Sequence, residues 1–410
     1  MWTNAFVPAL RRTVLTSLLL IPLLQACGGG GSGDGGGSPG PMQNPPPSVT
    51  SISVPVQTDD GWETAALAEV ALAEQPLIDA LNEIRRGTYN EIHGLIVVRN
   101  GKLVLEEYGR GRMYDGSPDD MFSPMMNFDR DTLHIVHSVS KSYMSTLAGL
   151  AIRDGFIASE NESVLGFFPE HAGRFGTEKE GILLKHLMTM SSGLSWNEWD
   201  VPTMDFERND AMRYQQAIDP SAYFFGKSLI HTPGTTFYYN TAGFQMMGEV
   251  IRRATGMRLD DYAQQTLFAP LGIRNFEWRQ YSHGSMYLVG DILLRPRDMA
   301  KFGQLVLQGG SWNGQQVVPA AWLDKTTAPL MSVAYTGYKG YEGYGFHWWR
   351  KNFAVGADRI PAICADGFAG QSIMVFPTLD MVVVVTGGNY NLPEREHALV
   401  ANHVLPAATR

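Results

Sequence analysis

Between residues 142 and 152 the chain carries no charged side chain, and Tyr143, Met144, Leu147, Leu150 and Ile152 spread apolar surface around most of a helix's girth. Such a helix has no face to give to water, so it requires a core with other elements wrapped around it. Ser138-Val139-Ser140-Lys141 opens it and Asp154-Gly155 stops it, setting a helical stretch at 139–153. Ser and Lys at i and i+3 share one helix face, about 5–6 Å apart at Cβ. A serine hydroxyl attacks well only when a nearby base takes its proton, and a lysine serves as that base only if burial or cationic neighbours lower its pKa. The apolar residues that follow offer the burial, and the positive end of the helix dipole further disfavours an ammonium there. The plain alternative is that Ser138 caps the helix while Lys141 reaches out to water.

The two ends of the chain supply strands. Runs at 93–99 and 102–108 are β-rich and joined by Asn100-Gly101, the strongest two-residue hairpin signal. Runs at 344–350, 372–376 and 381–386 are also strand-like, the last two joined by Pro377-Thr378-Leu379-Asp380. Helices are expected at 63–86, broken near Pro76, and from Pro393 towards Val404, while 156–335 is rich in turns and helical patterns. The expected class is α/β (α+β): an antiparallel sheet from both chain ends, flanked by helices, with a mostly helical insertion at about 156–335.

The N-terminus reads as an address. Arg11 and Arg12 precede an apolar stretch at 14–24 that is too short to span a bilayer as a helix. Leu24-Gln25-Ala26-Cys27 resembles the bacterial lipobox, which implies a signal peptide at 1–26, acylation of Cys27 and a lipoprotein on the periplasmic side of a bacterial membrane; a plain signal ending near Ala26, giving a secreted protein, is the other reading. Residues 27–50 then form a Gly/Ser/Pro tether whose reach, for about 21 residues, is on the order of 25 Å. With Cys27 acylated, Cys364 has no disulfide partner. A net charge of −9 and the lack of any basic run beyond the N-terminus exclude a nucleic-acid footprint. The hydrolytic domain is expected over 51–410.

A second motif, Pro233-Gly234-Thr235-Thr236-Phe237-Tyr238-Tyr239-Asn240-Thr241, is a turn leading into a helical pattern closed by Gly256. Together with Ser138-x-x-Lys141 it resembles the penicillin-recognising serine hydrolases: class C β-lactamases, D,D-peptidases, family VIII-type esterases and 6-aminohexanoate-dimer hydrolases. The stretches 184–194, 270–273 and 297–303 fit the same group, so the resemblance covers about residues 90–390. It implies a β-lactamase/transpeptidase-like fold, a Ser138 acyl-enzyme, and Tyr239 as the motif tyrosine, with Tyr238 the lesser candidate. Thr241 stands where the group usually has Asn, as in its aminohexanoate-dimer and esterase branches. A phenol of pKa near 10 becomes a usable acid or base beside an ammonium. Lys141 and Tyr239 would therefore share the protons of the reaction, and which acts first on Ser138 is open.

The group's third motif, Lys-Thr-Gly or His-Thr-Gly on a strand edge, matches Ala365-Asp366-Gly367 here. The missing cation should weaken binding of a substrate carboxylate by roughly 1.5–3 kcal/mol. That favours a neutral-ended small-molecule amide or ester over a β-lactam or a D,D-peptide. By the same resemblance Gly367 permits close backbone approach, the Phe368 and Ser138 N–H groups form the oxyanion hole, and Asn240 and Thr241 join the substrate-binding set.

Rival chemistries have little support. Gly-x-Ser-x-Gly occurs only within the tether, at Gly36-Gly37-Ser38-Pro39-Gly40. His134 and His137 lack companions at metal-ligand spacing and read as structural histidines, with no metal or organic cofactor expected. Trp196, Trp199, Trp348 and Trp349 suit core packing as well as a substrate wall. A receptor acylated once, without turnover, is the reading of a different class.

Overall fold

The computed structural model describes residues 48–114, 122–202, 205–283, 286–390 and 392–409. The expected signal peptide, Cys27 and most of the expected tether lie outside the described residues. Strand β1 (Glu63–Thr64) and helix α1 (Glu74–Arg85) precede the hairpin β2 (Ile92–Arg99) and β3 (Lys102–Tyr108). Its turn residues Asn100 and Gly101 have φ of 51° and 74°, the left-handed pair that a two-residue hairpin demands. The expected helix at 63–86 forms only in its second half. Glu63–Thr64 pairs in parallel with β3, a 3-10 turn spans Leu67–Val70, and Ala71 at φ 55° breaks the path. Pro76 breaks nothing, because it sits in the first turn of α1, where an N–H has no partner to lose.

The middle of the chain contributes β4 (His134–Ile135), α2 (Ser140–Arg153), α3 (Thr241–Thr255), the hairpin β5 (Glu277–His283) and β6 (Met286–Leu294), and α4 (Pro296–Leu307). Strands β4, β6 and β5 form a three-stranded sheet in that order. The β5–β6 hairpin is a long strand pair within the insertion expected to be mostly helical; charged and exposed polar side chains on β5 hide its alternation.

The C-terminal part adds β7 (Met331–Ser332), β8 (Gly343–Tyr344), β9 (Trp349–Val355), β10 (Asp358–Gly367), β11 (Gln371–Phe376) and β12 (Met381–Gly387). The run expected as one strand at 344–350 is two, β8 and β9, which pair with each other around a turn at 345–348 where His347 has φ 63°. The last helix is shifted: helical turns run Glu396–Leu399, a π segment Val400–Val404, and Leu405–Ala408. The main sheet has nine strands in the order β1-β3-β2-β12-β11-β10-β9-β8-β7, all antiparallel except the β1–β3 edge. The two chain ends meet at the β2–β12 ladder, as expected.

Both faces of that sheet are covered, which explains the unbroken Val382-Val383-Val384-Val385 run. Val382 and Val384 face the core under α2 and α4, whereas Val383 and Val385 face α1 and the C-terminal helix. Helix α2 is buried from Ser140 to Ala151. Among the described residues no helix is long and apolar enough to cross a membrane.

Helix α4 lies directly on the sheet at Gly303, where an added Cβ would stand 2.5 Å from Val382 Cγ1 and 2.9 Å from Ile373 Cγ2. Intrinsic propensity favours alanine over glycine in a helix by about 1 kcal/mol, but overpacking of a tight core costs about 1–3 kcal/mol. Gly303→Ala is therefore expected to lower the melting temperature in a thermal melt followed by circular dichroism; a higher one would contradict the close approach.

Candidate active site

Ser138 lies in a 3-10 turn, His137–Val139, just ahead of α2. It is not the helix cap: the N-cap is Val139, with no side-chain hydrogen bond. The hydroxyl is free for other partners and has two. Lys141 Nζ donates to Ser138 Oγ at 2.9 Å, and Tyr239 OH donates to the same oxygen at 2.9 Å. Lys141 does not reach out to water, being only 5% exposed, with Nζ over the rings of Tyr239 (5.1 Å) and Phe244 (5.2 Å). Tyr238, the other tyrosine of the pair, is exposed, with its hydroxyl 3.3 Å from Asp200 Oδ2.

Tyr239 is held by stacking. Trp199 lies parallel to it at 4.8 Å and Trp349 behind it at 6.4 Å. Of the four tryptophans, Trp199 is exposed, while Trp196, Trp348 and Trp349 are buried. Asn240 caps α3, its Oδ1 accepting from Gly243 N at 3.0 Å, a helix-starting role. Thr241 lines the cavity beside Ser138 and is fixed by Glu198, whose carboxylate accepts from Thr241 N at 2.8 Å and from its hydroxyl. Glu198 escaped the sequence reading because nothing at its own position marks it; only the fold brings it to the positive end of α3.

Strand β10 delivers the third motif. A Cβ on Gly367 would stand 2.4 Å from Val136 O and 3.1 Å from Ser138 N, so only glycine admits the strand this close to the nucleophile's backbone. Phe368 is exposed and lines the cavity, with its ring near His137 and Tyr390. Ala365 is buried in the core beside α2, opposite Ile373. Asp366 faces the other way, onto a buried ionic cluster: Lys339 Nζ is 2.8 Å from Asp366 Oδ2 and 2.6 Å from each of Glu394 Oε2 and Glu396 Oε1. Burial works against ionisation of Asp366, but Lys339 and His397 hold its carboxyl well below the usual range. Asp366, Glu396 and His397 converge closely enough to ligate a cation, and the Lys339 ammonium already supplies one among them. That lysine is thereby committed and does not stand in for the cation missing at 365.

The cavity in front of Ser138 has a volume of about 280 Å³. Phe244, Leu288, Val289 and Tyr281 give it apolar walls, and Asp291, Arg279 and Gln215 give it polar points. His137 lines it too, bridging Asp291 Oδ2 (3.4 Å from Nδ1) and Tyr390 OH (2.8 Å from Nε2). Burial raises the Asp291 carboxyl, but His137 and Lys141 more than offset that, leaving it below the usual range.

His134 is a core histidine, 2.9 Å from His93 and pushed down by burial to about 3. His347 is likewise pushed down to about 3, by burial and then by Lys141, while its Nδ1 donates to Lys141 O at 2.9 Å. Both are neutral in the fold and take up protons only when it opens.

Comparison with known proteins places the chain among relatives of one fold. The family model described as Beta-lactamase matches residues 82–404. A 6-aminohexanoate-dimer hydrolase of Paenarthrobacter ureafaciens is 25% identical over 334 residues, covering 78% of this chain and 79% of that protein. Two solved structures share the fold: a Bacillus anthracis protein bearing the 6-aminohexanoate-dimer hydrolase name (TM-score 0.63, 19% identity, 85% of this chain and 87% of that one) and a family VIII carboxylesterase (TM-score 0.61, 14% identity, 81% and 97%).

An acid limit follows from the two histidines. Their folded value near 3 lies below the ordinary 6.5, so as pH falls from about 6.5 the unfolded chain gains protons that the fold refuses. Stability should fall by up to about 1.4 kcal/mol per pH unit per histidine across that window. Urea midpoints at pH 7, 6 and 5 test this, and an unchanged midpoint between pH 6 and 5 would contradict it.

Proposed function

We propose that this chain, which belongs to the Beta-lactamase family, hydrolyses a neutral-ended amide or ester through an acyl-enzyme on Ser138. The observation that carries this reading is the convergence of Lys141 and Tyr239 on one oxygen, Ser138 Oγ, each at 2.9 Å. The Ser138 proton passes to the Lys141–Tyr239 pair as Oγ attacks the carbonyl carbon, and negative charge gathers on the carbonyl oxygen near the N–H groups of Ser138 and Phe368. Tyr239 returns the proton to the leaving nitrogen or oxygen as the C–N or C–O bond breaks. Water, deprotonated by the same pair, then attacks the acyl carbon, and the proton returns to Ser138 Oγ as the acid leaves.

Substrate class follows from charge. Ala365 offers no cation to a carboxylate, Lys339 is bound by three carboxylates, and Arg279 of the cavity wall is paired with Glu277 at 3.2 Å. Neutral-ended oligoamides and short-chain esters are therefore favoured over D-amino-acid peptides and β-lactams. The lipobox-like Cys27 and its tether add the proposal that the enzyme is exported and works from a lipid anchor on the periplasmic side.

Intact mass after brief exposure of the tether-free protein to a p-nitrophenyl ester should show a transient acyl adduct that is absent from Ser138→Ala; equal behaviour of the two would remove Ser138 as nucleophile. Tyr239→Phe should lower kcat/KM for an amide by about 10²–10⁴-fold, and less for an ester with a good leaving group, which needs no proton. Steady-state kinetics on a matched amide and p-nitrophenyl ester check this difference.

A further inference from the structure

The turn Phe368-Ala369-Gly370 joins β10 to β11, and its middle residue is out of the ordinary. Ala369 has φ 64°, a left-handed conformation that a side chain disfavours, and Gly370 follows at φ 89°. A conformation of this kind persists only where surrounding contacts impose it. Here hydrogen bonds hold Ala369 on both sides. Its N–H donates to Glu394 Oε1 at 2.6 Å, and its carbonyl accepts from Asn389 N at 3.1 Å and Gln371 Nε2 at 3.4 Å.

Glu394 is not a free surface carboxylate. Its other oxygen is 2.6 Å from Lys339 Nζ, the same ammonium that binds Asp366, two residues before Phe368 on β10. Lys339 thus clamps the strand before the turn through Asp366 and the turn itself through Glu394. Ser372 on the strand after the turn donates to Asp366 Oδ1 at 2.6 Å, and His397 Nε2 lies 3.3 Å from that oxygen. Lys351 Nζ reaches His397 Nδ1 at 3.1 Å and supports the cluster from below. The Phe368–Ala369 peptide is anchored on one side through Glu394 and the strand before it through Asp366 on the other, and the Gly367–Phe368 peptide, which carries the Phe368 N–H, lies between these two anchors.

We propose that Glu394, anchored by Lys339, is a positioning residue: it holds Ala369 left-handed and so aims the Phe368 N–H at the developing oxyanion. This rests on the Ser138 acyl-enzyme reading and adds to it a distal device that none of the three motifs contains. Glu394 touches no substrate; it acts through the backbone of residues 368 and 369.

The choice of variant matters. Lys339→Met would strand the buried carboxylates of Asp366 and Glu396 and endanger folding. Removing Glu394 takes one carboxylate from a cluster of three around one ammonium, and burial already pushes Glu394 above the usual carboxylate range despite Lys339. Glu394→Gln keeps an acceptor for Ala369 N–H, Glu394→Ala does not, and glycine at 369 adopts the positive φ without help.

The experiment measures kcat and KM for p-nitrophenyl butyrate and its thionoester with the parent, E394Q, E394A and E394A/A369G, with S138A as control. Complete loss of an oxyanion donor costs about 10²–10³-fold in kcat, so a mis-aimed one is expected to cost E394A about tenfold or more with KM within about twofold. The parent should prefer the oxygen ester strongly, E394A should narrow that preference, E394Q should stay near the parent, and E394A/A369G should recover much of the loss. A parental ester-to-thionoester ratio in E394A, or a double variant no better than E394A, overturns the proposal. Activity persisting in S138A would instead overturn the acyl-enzyme reading beneath it.

Discussion

One half-buried serine hydroxyl oxygen organises this molecule. For Ser138 Oγ to receive both Lys141 Nζ and Tyr239 OH at 2.9 Å, residues 101 positions apart must be held to within a few tenths of an ångström. Helix α2 provides the fixed frame, since it is sealed from Ser140 to Ala151 and has no exposed face on which to rotate. The sequence cost of that frame is visible: Lys141 enters an apolar helix as its only cation before Arg153, and the rings of Tyr239 and Phe244 enclose its ammonium. Packing and chemistry are therefore inseparable here, because the residues that bury the lysine also present its partner.

What was legible in the sequence was local or self-contained. Asn100-Gly101 announced the hairpin because its turn needs two left-handed residues, and the charge-free 142–152 segment announced the central helix because nothing in it can face water. That Ser138, Lys141 and Tyr239 come together was expected from the resemblance of their motifs to one hydrolase group, and the fold brings the three side chains into contact. Strand β10 was implied only by the third motif's resemblance and not by its own pattern: buried on both faces towards its end, it reads Ala362-Ile363-Cys364-Ala365, a short apolar run without helical or strand period. The β5–β6 hairpin hid behind charge. Glu198, Asp291 and Lys339 could not be read at all, since each acts on a residue tens of positions away and a lone charged side chain carries no sign of its partner.

The strand β10 also shows how a departure from a family motif can be absorbed. Alternation along a strand sends successive side chains to opposite faces, so Ala365 packs against α2 while Asp366 turns to Lys339. The position on the α2 side is neutral and small. The position behind it has acquired a carboxylate, which is tolerable in the interior only because an ammonium, a hydroxyl and an imidazole meet it there. The charge on this stretch of β10 thus lies on the scaffold's side of the strand, and the proposed preference for uncharged substrates rests on that placement.

The backbone carries the same logic into the catalytic turn. Two non-glycine residues flank the place where a substrate carbonyl oxygen would lie, and both are left-handed: His137 at φ 48° immediately before the nucleophile, and Ala369 at φ 64° immediately after Phe368. Neither conformation is favourable on its own, and each is held from outside the cavity's reacting centre, His137 by Asp291 and Tyr390, Ala369 by Glu394 and Asn389. Gly367 lets the two segments approach until its Cβ position would be 3.1 Å from Ser138 N. Two left-handed residues, held from outside and brought together across one glycine, are an arrangement that regular helix or strand geometry alone does not produce. Under the proposed acyl-enzyme mechanism, folding free energy invested there orients donors before substrate arrives, which is where electrostatic catalysis gains most, because no reorganisation remains to be done in the transition state.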